Sequence, residues 1–72
     1  MERELLEQHL AETERRLVEI EERILQQSRA IAELKRTWQP TTVARSVLET
    51  LLQKRTQHEA TRDRLRKELD LG

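Results

Sequence analysis

Two histidines, His9 and His58, are the side chains best suited to metal chemistry in this 72-residue chain. Metal sites in helical bundles need several convergent ligands, commonly a Glu-x-x-His pair on each of two facing helices. The residue three before His9 is Leu6, and the residue three before His58 is Arg55, so neither histidine completes the motif. The chain also has no cysteine to supply a thiolate. We predict no metal and no cofactor, and we keep a metal-binding bundle as the less favoured alternative.

Paired carboxylates are the other candidates for chemistry, and Glu21 with Glu22 is the clearest case. Successive residues of a helix point about 100° apart, so these two carboxylates do not converge as acid and base partners must. The sequence contains no nucleophile–base pair and no glycine-rich phosphate loop. We therefore predict that the protein is not an enzyme and has no catalytic residues.

The most basic stretch begins at Arg62 and reads Arg-Asp-Arg-Leu-Arg-Lys. Basic helices can bind phosphates, with an affinity that falls as salt rises. The chain as a whole has 14 basic and 14 acidic side chains, however, and a net charge of zero gives no general attraction to nucleic acid. No aromatic residues are interleaved for base stacking. An ion-paired face is the favoured interpretation, and a nucleic-acid-binding accessory protein is the alternative function.

A regular alternation of four- and three-residue steps dominates the first half of the chain, as a heptad seam requires. It predicts a helix over residues 2–37, about 54 Å long. Trp38, at the end of the seam beside the turn, is expected to close the bundle as a hydrophobic plug, and a partner-binding anchor is the alternative. The polar members, Thr13 and Gln27, either set register and oligomer state or face a solvated gap. The seam comprises Leu6, Leu10, Thr13, Leu17, Ile20, Ile24, Gln27, Ile31, Leu34 and Trp38.

Pro40 marks the one break in the helical pattern, because proline removes a helical hydrogen bond and restricts the residue before it. We predict a turn over residues 38–41 and a second helix over residues 42–69. In its middle, the stems of Arg55 and Arg62 are expected to pack over the seam. His58 is expected beside Glu21 or Glu22, and burial against Glu21 would make association pH-dependent. The second seam of the fold comprises Ala44, Leu48, Leu51, Arg55, His58, Arg62, Leu65 and Leu69.

Charge favours an antiparallel arrangement of these two helices. Residues 1–22 carry eight acidic and three basic side chains, whereas residues 54–67 carry six basic and two acidic ones. Folding the chain at Pro40 lays the two stretches side by side, and complementary charges beside a seam select orientation. The predicted fold class is all-α: a single antiparallel two-helix coiled-coil hairpin over residues 1–72.

A second apolar column on the first helix predicts a further neighbour, as in bundles of more than two helices. Leu17, Ile20 and Ile24 also face the polar middle of the second helix, and a second copy would cover them. We predict a homodimeric four-helix bundle with its twofold axis near Ile20 to Ile24, and a domain-swapped dimer stays open. Simple exposure of the column is the alternative. The column comprises Ala11, Val18, Leu25 and Ala32.

These features predict a non-enzymatic protein–protein association module, either for oligomerisation or as an adaptor for an unidentified protein partner. Apolar residues are only 35% of the chain, below the roughly 45–50% of globular domains, so the hairpin alone buries little. No apolar run approaches a membrane span, and the first residues do not resemble a signal peptide. We expect a cytoplasmic protein with no membrane partner.

Four stretches carry a resemblance to a known group of proteins: Gln8-His-Leu-Ala-Glu, Ile31-Ala-Glu-Leu, Thr42-Val-Ala-Arg and His58-Glu-Ala-Thr-Arg-Asp-Arg-Leu-Arg-Lys-Glu-Leu. Together they resemble short uncharacterised α-proteobacterial proteins in which a long helix, a turn ending in Thr and a second helix recur. The resemblance covers most of the chain and implies a bacterial cytoplasmic helical hairpin without a known role. The turn of that group usually contains glycine, whereas this chain has Trp-Gln-Pro, so no functional residue is carried over.

Overall fold

The computed structural model describes residues 2–71, which form two long helices joined by a five-residue turn. Helix α1 spans Glu2–Arg36 and helix α2 spans Thr42–Leu71. The predicted ranges were 2–37 and 42–69. Helix α1 ends earlier because the chain turns at Trp38, and α2 runs on because nothing in its last turn, Glu68 to Leu71, breaks a helix.

The two helices pack against each other in opposite directions. The Arg3 guanidinium, near the start of α1, donates to the Leu69 carbonyl near the end of α2, at 3.3 Å. The Gln27 amide, towards the end of α1, donates to the Ala44 carbonyl at the start of α2, at 2.9 Å. The result is a rod of 55 × 14 × 14 Å. The predicted all-α class is confirmed for the described residues.

Burial along α1 follows the four–three spacing closely. Every residue of this helix that is buried or half-buried belongs to the predicted seam, from Leu6 to Leu34. The deepest positions in α1 are Thr13, Leu17, Ile20 and Ile31, and Leu65 is the deepest in α2. A period of seven residues in two turns keeps these side chains on one stripe, so a single partner helix is enough to cover them.

Helix α1 ends in a Schellman motif. The Gln39 amide donates to the Leu34 carbonyl at 2.8 Å, and the Trp38 amide donates to the Lys35 carbonyl at 3.2 Å. Trp38 is the residue just past the helix end in this motif, and it lies in the left-handed region with φ of 59°. Glycine is usual at this position. The indole of Trp38 is 95% exposed. Trp38 therefore does not plug the seam of the single hairpin, and its role in closing a bundle stays a prediction.

Charges at the two ends of α1 complement its dipole. Glu2 and Glu4 lie in the first turn, and Lys35 and Arg36 lie in the last. The Arg36 guanidinium also binds the Glu33 carboxylate, with an Nε–Oε2 distance of 3.1 Å. This hydrogen bond lowers the pKa of Glu33. The ion pair therefore stabilises the folded protein at pH values above the ordinary pKa of a glutamate. This stabilisation is lost as the pH falls through the lowered pKa of Glu33.

Candidate functional site

The outer column of α1, defined as Ala11, Val18, Leu25 and Ala32, is the main apolar feature left open to solvent on this helix. All four side chains are exposed, and the two large ones, Val18 and Leu25, retain 56% and 53% of their accessible surface. They recur every seven residues on the side of α1 away from the seam. The hairpin thus uses one stripe of α1 for itself and leaves a second one uncovered.

The apolar residues in the middle of the α1 seam are more deeply buried in the single hairpin than the sequence suggests. Leu17 and Ile20 are only 5% and 7% exposed, and Ile24 is half-buried. The prediction that these residues wait for a second copy is wrong for Leu17 and Ile20. A contact of α1 with a further chain would use its exposed side chains instead, and the large apolar ones among them are Leu5, Val18 and Leu25.

The polar middle of α2 provides this cover. Arg55, His58 and Arg62 are each half-buried at the seam although they carry basic groups. Long basic side chains can lay their methylene stems on apolar surface and keep their charged ends in water. Such packing accounts for the burial of Leu17 and Ile20 opposite a stretch that is nearly free of apolar residues.

The two polar positions in the seam of α1 are satisfied in different ways. Thr13, which is 4% exposed, donates from its hydroxyl to the carbonyl of His9 in the preceding turn, at 2.8 Å. Its polar group is thus bonded inside its own helix, and the residue packs as a small side chain. Gln27 instead donates across the hairpin to Ala44, and this bond ties the two helices in one register. Of the two predicted roles, setting the register suits Gln27 and neither role suits Thr13.

Both histidines line the same shallow groove, together with Glu12, Thr13 and Arg16. His58 contacts the Lys54 carbonyl of its own helix through Nδ1, at 2.8 Å. The predicted neighbour of His58 is Glu21 or Glu22, but neither glutamate lines this groove, so the prediction is wrong. Spacing along the chain gives the level of a residue but not the side of the hairpin on which it lies, and Glu21 lies on the other side.

The second groove, on the side of Glu21, brings together the acidic and basic stretches of the chain. Glu14 and Glu21 line it with Val18, Arg62 and Arg66. The Arg66 guanidinium is 3.7 Å from the Glu14 carboxylate. Val18 of the outer column therefore shares this groove with acidic and basic side chains of both helices.

The basic run of α2 has acidic partners within the chain. Arg66 is paired with Glu14, and Arg62 donates from Nε to the carboxylate of Asp63 at 3.0 Å. The hydrogen bond to Asp63 raises the pKa of the Arg62 guanidinium. These contacts agree with the interpretation of the run as an ion-paired face.

Between Glu2 and Leu71, no three histidine, aspartate or glutamate side chains come close enough together to hold a metal ion. Neither of the two described helices is long and apolar enough to cross a membrane.

Comparison of the chain with protein-family models, curated proteins and solved structures finds no match. The resemblance to α-proteobacterial helical-hairpin proteins stays a prediction.

Proposed function

We propose that this protein is a non-catalytic association module that binds a second copy of itself through the outer column of α1. The observation that carries the proposal is the contrast between adjacent residues of one helix. Leu17 is 5% exposed, whereas Val18 is 56% exposed. An apolar stripe at heptad spacing outside the hairpin is the kind of surface that helices bury against other helices.

The energetics favour a bundle over a lone hairpin. The described part of the chain has only four buried apolar residues: Leu17, Ile20, Ile31 and Leu65. Full burial of a valine or leucine side chain stabilises a protein by roughly 1.5–3 kcal/mol. Covering Val18 and Leu25 in two chains at once would add four such contributions, reduced because the side chains are already half-covered. This gain is large beside the marginal stability of so small a core.

The proposed assembly is an antiparallel four-helix bundle in which α1 meets α1 of the second chain. Helix α2 borders the outer column on one side, because Arg62 and Arg66 line the same groove as Val18. Two-fold homodimers are the commonest oligomers of soluble proteins. A dimer of hairpins suits a role in oligomerising or bridging other proteins.

Sedimentation equilibrium over a micromolar concentration series tests the proposal. The wild-type chain is expected to approach twice its monomer mass of 8.6 kDa. Val18→Glu and Leu25→Glu are expected to return it to the monomer with its helicity intact, because both side chains are exposed in the hairpin.

Val43→Glu is the matched control, because Val43 is equally apolar and 78% exposed but lies on α2. The sedimentation mass of the Val43→Glu variant is expected to equal that of the wild type. A wild-type chain that stays monomeric and fully helical throughout the series would contradict the proposal. So would a dimer that survives both substitutions in the outer column.

A further inference from the structure

We infer that the second copy lies antiparallel on α1 in one defined register, in which Ala11 faces Ala32 and Val18 faces Leu25 of the other chain. This inference rests on the proposed function, since it specifies the partner's position on the same surface. In a twofold interface, residue i contacts j and j contacts i, so the surface must be complementary to itself. The outer column meets that condition about a point between Glu21 and Glu22.

Charged residues flanking the outer column repeat the same symmetry. Glu7 and Glu14 alternate with the first half of the column, and Arg29 and Arg36 alternate with its second half, all at steps of three or four residues. All four side chains are exposed. In order along this face of α1, the residues are Glu7, Ala11, Glu14, Val18, Leu25, Arg29, Ala32 and Arg36.

An antiparallel partner converts this order into ion pairs. In the proposed register Glu14 meets Arg29 of the other chain, and Glu7 meets Arg36. A parallel partner would place each of these residues opposite its own copy, so that like charges face each other along the whole interface. Like-charge juxtaposition is a strong discriminator between arrangements of similar packing. The charges therefore decide the direction of the second helix, which the apolar residues alone do not.

The pair of Glu14 with Arg29 is the more informative of the two. Arg36 already has Glu33 as a partner within α1. Arg29 makes no ion pair within the described residues, whereas Glu14 already lies 3.7 Å from Arg66 of its own chain. In the proposed register Arg29 would gain a partner, and Glu14 would be shared between Arg66 and Arg29 of the second chain.

One unfavourable contact follows from this register. Glu21 lines a groove with Arg62 and Arg66 of its own chain, whereas Glu22 does not and would lie beside its own copy at the twofold axis. Glu22→Gln is therefore expected to tighten the dimer, by about two- to fivefold for a surface pair. Glu19→Gln, an exposed residue away from this face, is the matched control and is expected to leave the dissociation constant unchanged.

Single-cysteine variants of the full chain test the register directly, because the natural sequence has no cysteine. Across the axis, Ala11 of one chain would lie about 32 Å from Ala11 of the other, given a rise of 1.5 Å per residue. A disulfide needs Cα atoms within about 7 Å. Ala11→Cys alone and Ala32→Cys alone are therefore expected not to cross-link, whereas their mixture does. Glu22→Cys is expected to cross-link with itself through a short bis-maleimide.

The outcomes separate this register from the proposed function. Self-cross-linking of Ala11→Cys in a dimeric sample would establish a parallel arrangement and overturn the register, while the association surface would stand. A dimer in which neither the mixture nor Glu22→Cys reacts would overturn the register and also move the interface elsewhere, as in a domain-swapped dimer. Monomeric mass of every variant and of the wild type would overturn both proposals.

Discussion

At the scale of single residues, Trp38 is the position where the chain departs furthest from an ideal hairpin. It occupies the left-handed region at φ of 59°, where an L-residue is disfavoured by roughly 1–2 kcal/mol. Its side chain is 95% exposed and so contributes little packing to offset this. Glycine would relieve the strain at the end of α1, at the expense of a more flexible unfolded chain.

Trp38→Gly is therefore expected to raise the free energy of unfolding by about 1 kcal/mol. Trp38→Ala is the control, because it removes the indole but keeps the strained backbone, and its stability is expected to match that of the wild type. Urea titration followed by far-ultraviolet circular dichroism measures both. Equal stability of the glycine and alanine variants would mean that the backbone of Trp38 carries no strain.

The polar members of the seam show what residue types alone do not settle. Thr13 and Gln27 are equivalent in the spacing, and both are withdrawn from solvent. A hydroxyl two bonds from the backbone reaches the carbonyl of the preceding turn, so Thr13 needs no partner from α2. The longer amide of Gln27 reaches Ala44 instead. Side-chain length, combined with the position of the facing helix, decides the role, and the facing helix is not known from the sequence.

At the scale of the helix, α2 depends on few apolar contacts, since basic side chains occupy the middle of its seam. Leu65 is its deepest residue, at 2% exposure, whereas Leu71 on the same helix is 80% exposed. Deletion of a buried leucine side chain costs about 2–5 kcal/mol. Leu65→Ala is therefore expected to lower the urea midpoint strongly or to unfold α2 outright.

Leu71→Ala is the matched control for this substitution, because it removes the same atoms from a solvated position. Its midpoint is expected to stay close to that of the wild type, as is usual for surface substitutions. Equal losses for the two variants would show that α2 does not pack through the predicted stripe. Urea titration of both variants, followed by circular dichroism under one set of conditions, gives the two midpoints to compare.

The sequence specifies each helix well and their mutual arrangement less well. The four–three spacing identifies the buried stripe of α1 residue by residue, because the period alone determines which side chains share a face. The prediction for His58 failed because it depends on how the two helices pack against each other. Its neighbour depends on the side of α1 that faces it, and charge complementarity between whole stretches does not resolve one side from the other.

The elongated shape of the whole molecule leaves it a low stability as a single chain, which association would raise. A rod of 55 × 14 × 14 Å has a large surface for its volume, and its fully buried side chains are few. A chain of this size buries a small fraction of its unfolded surface and is marginally stable alone. Binding of a second folded copy stabilises the native state by mass action, in proportion to the logarithm of the chain concentration over the dissociation constant.

The melting temperature of the wild-type chain is therefore expected to rise steadily with protein concentration. Val18→Glu removes association without touching the seam of the hairpin, so its melting temperature is expected to be independent of concentration and equal to the dilute limit of the wild type. Val43→Glu is expected to retain the slope of the wild type. Differential scanning calorimetry over a tenfold or greater concentration range measures all three. A wild-type melting temperature that does not change with concentration would mean that the hairpin folds as a monomer. The outer column would then contribute nothing to the stability of the folded chain.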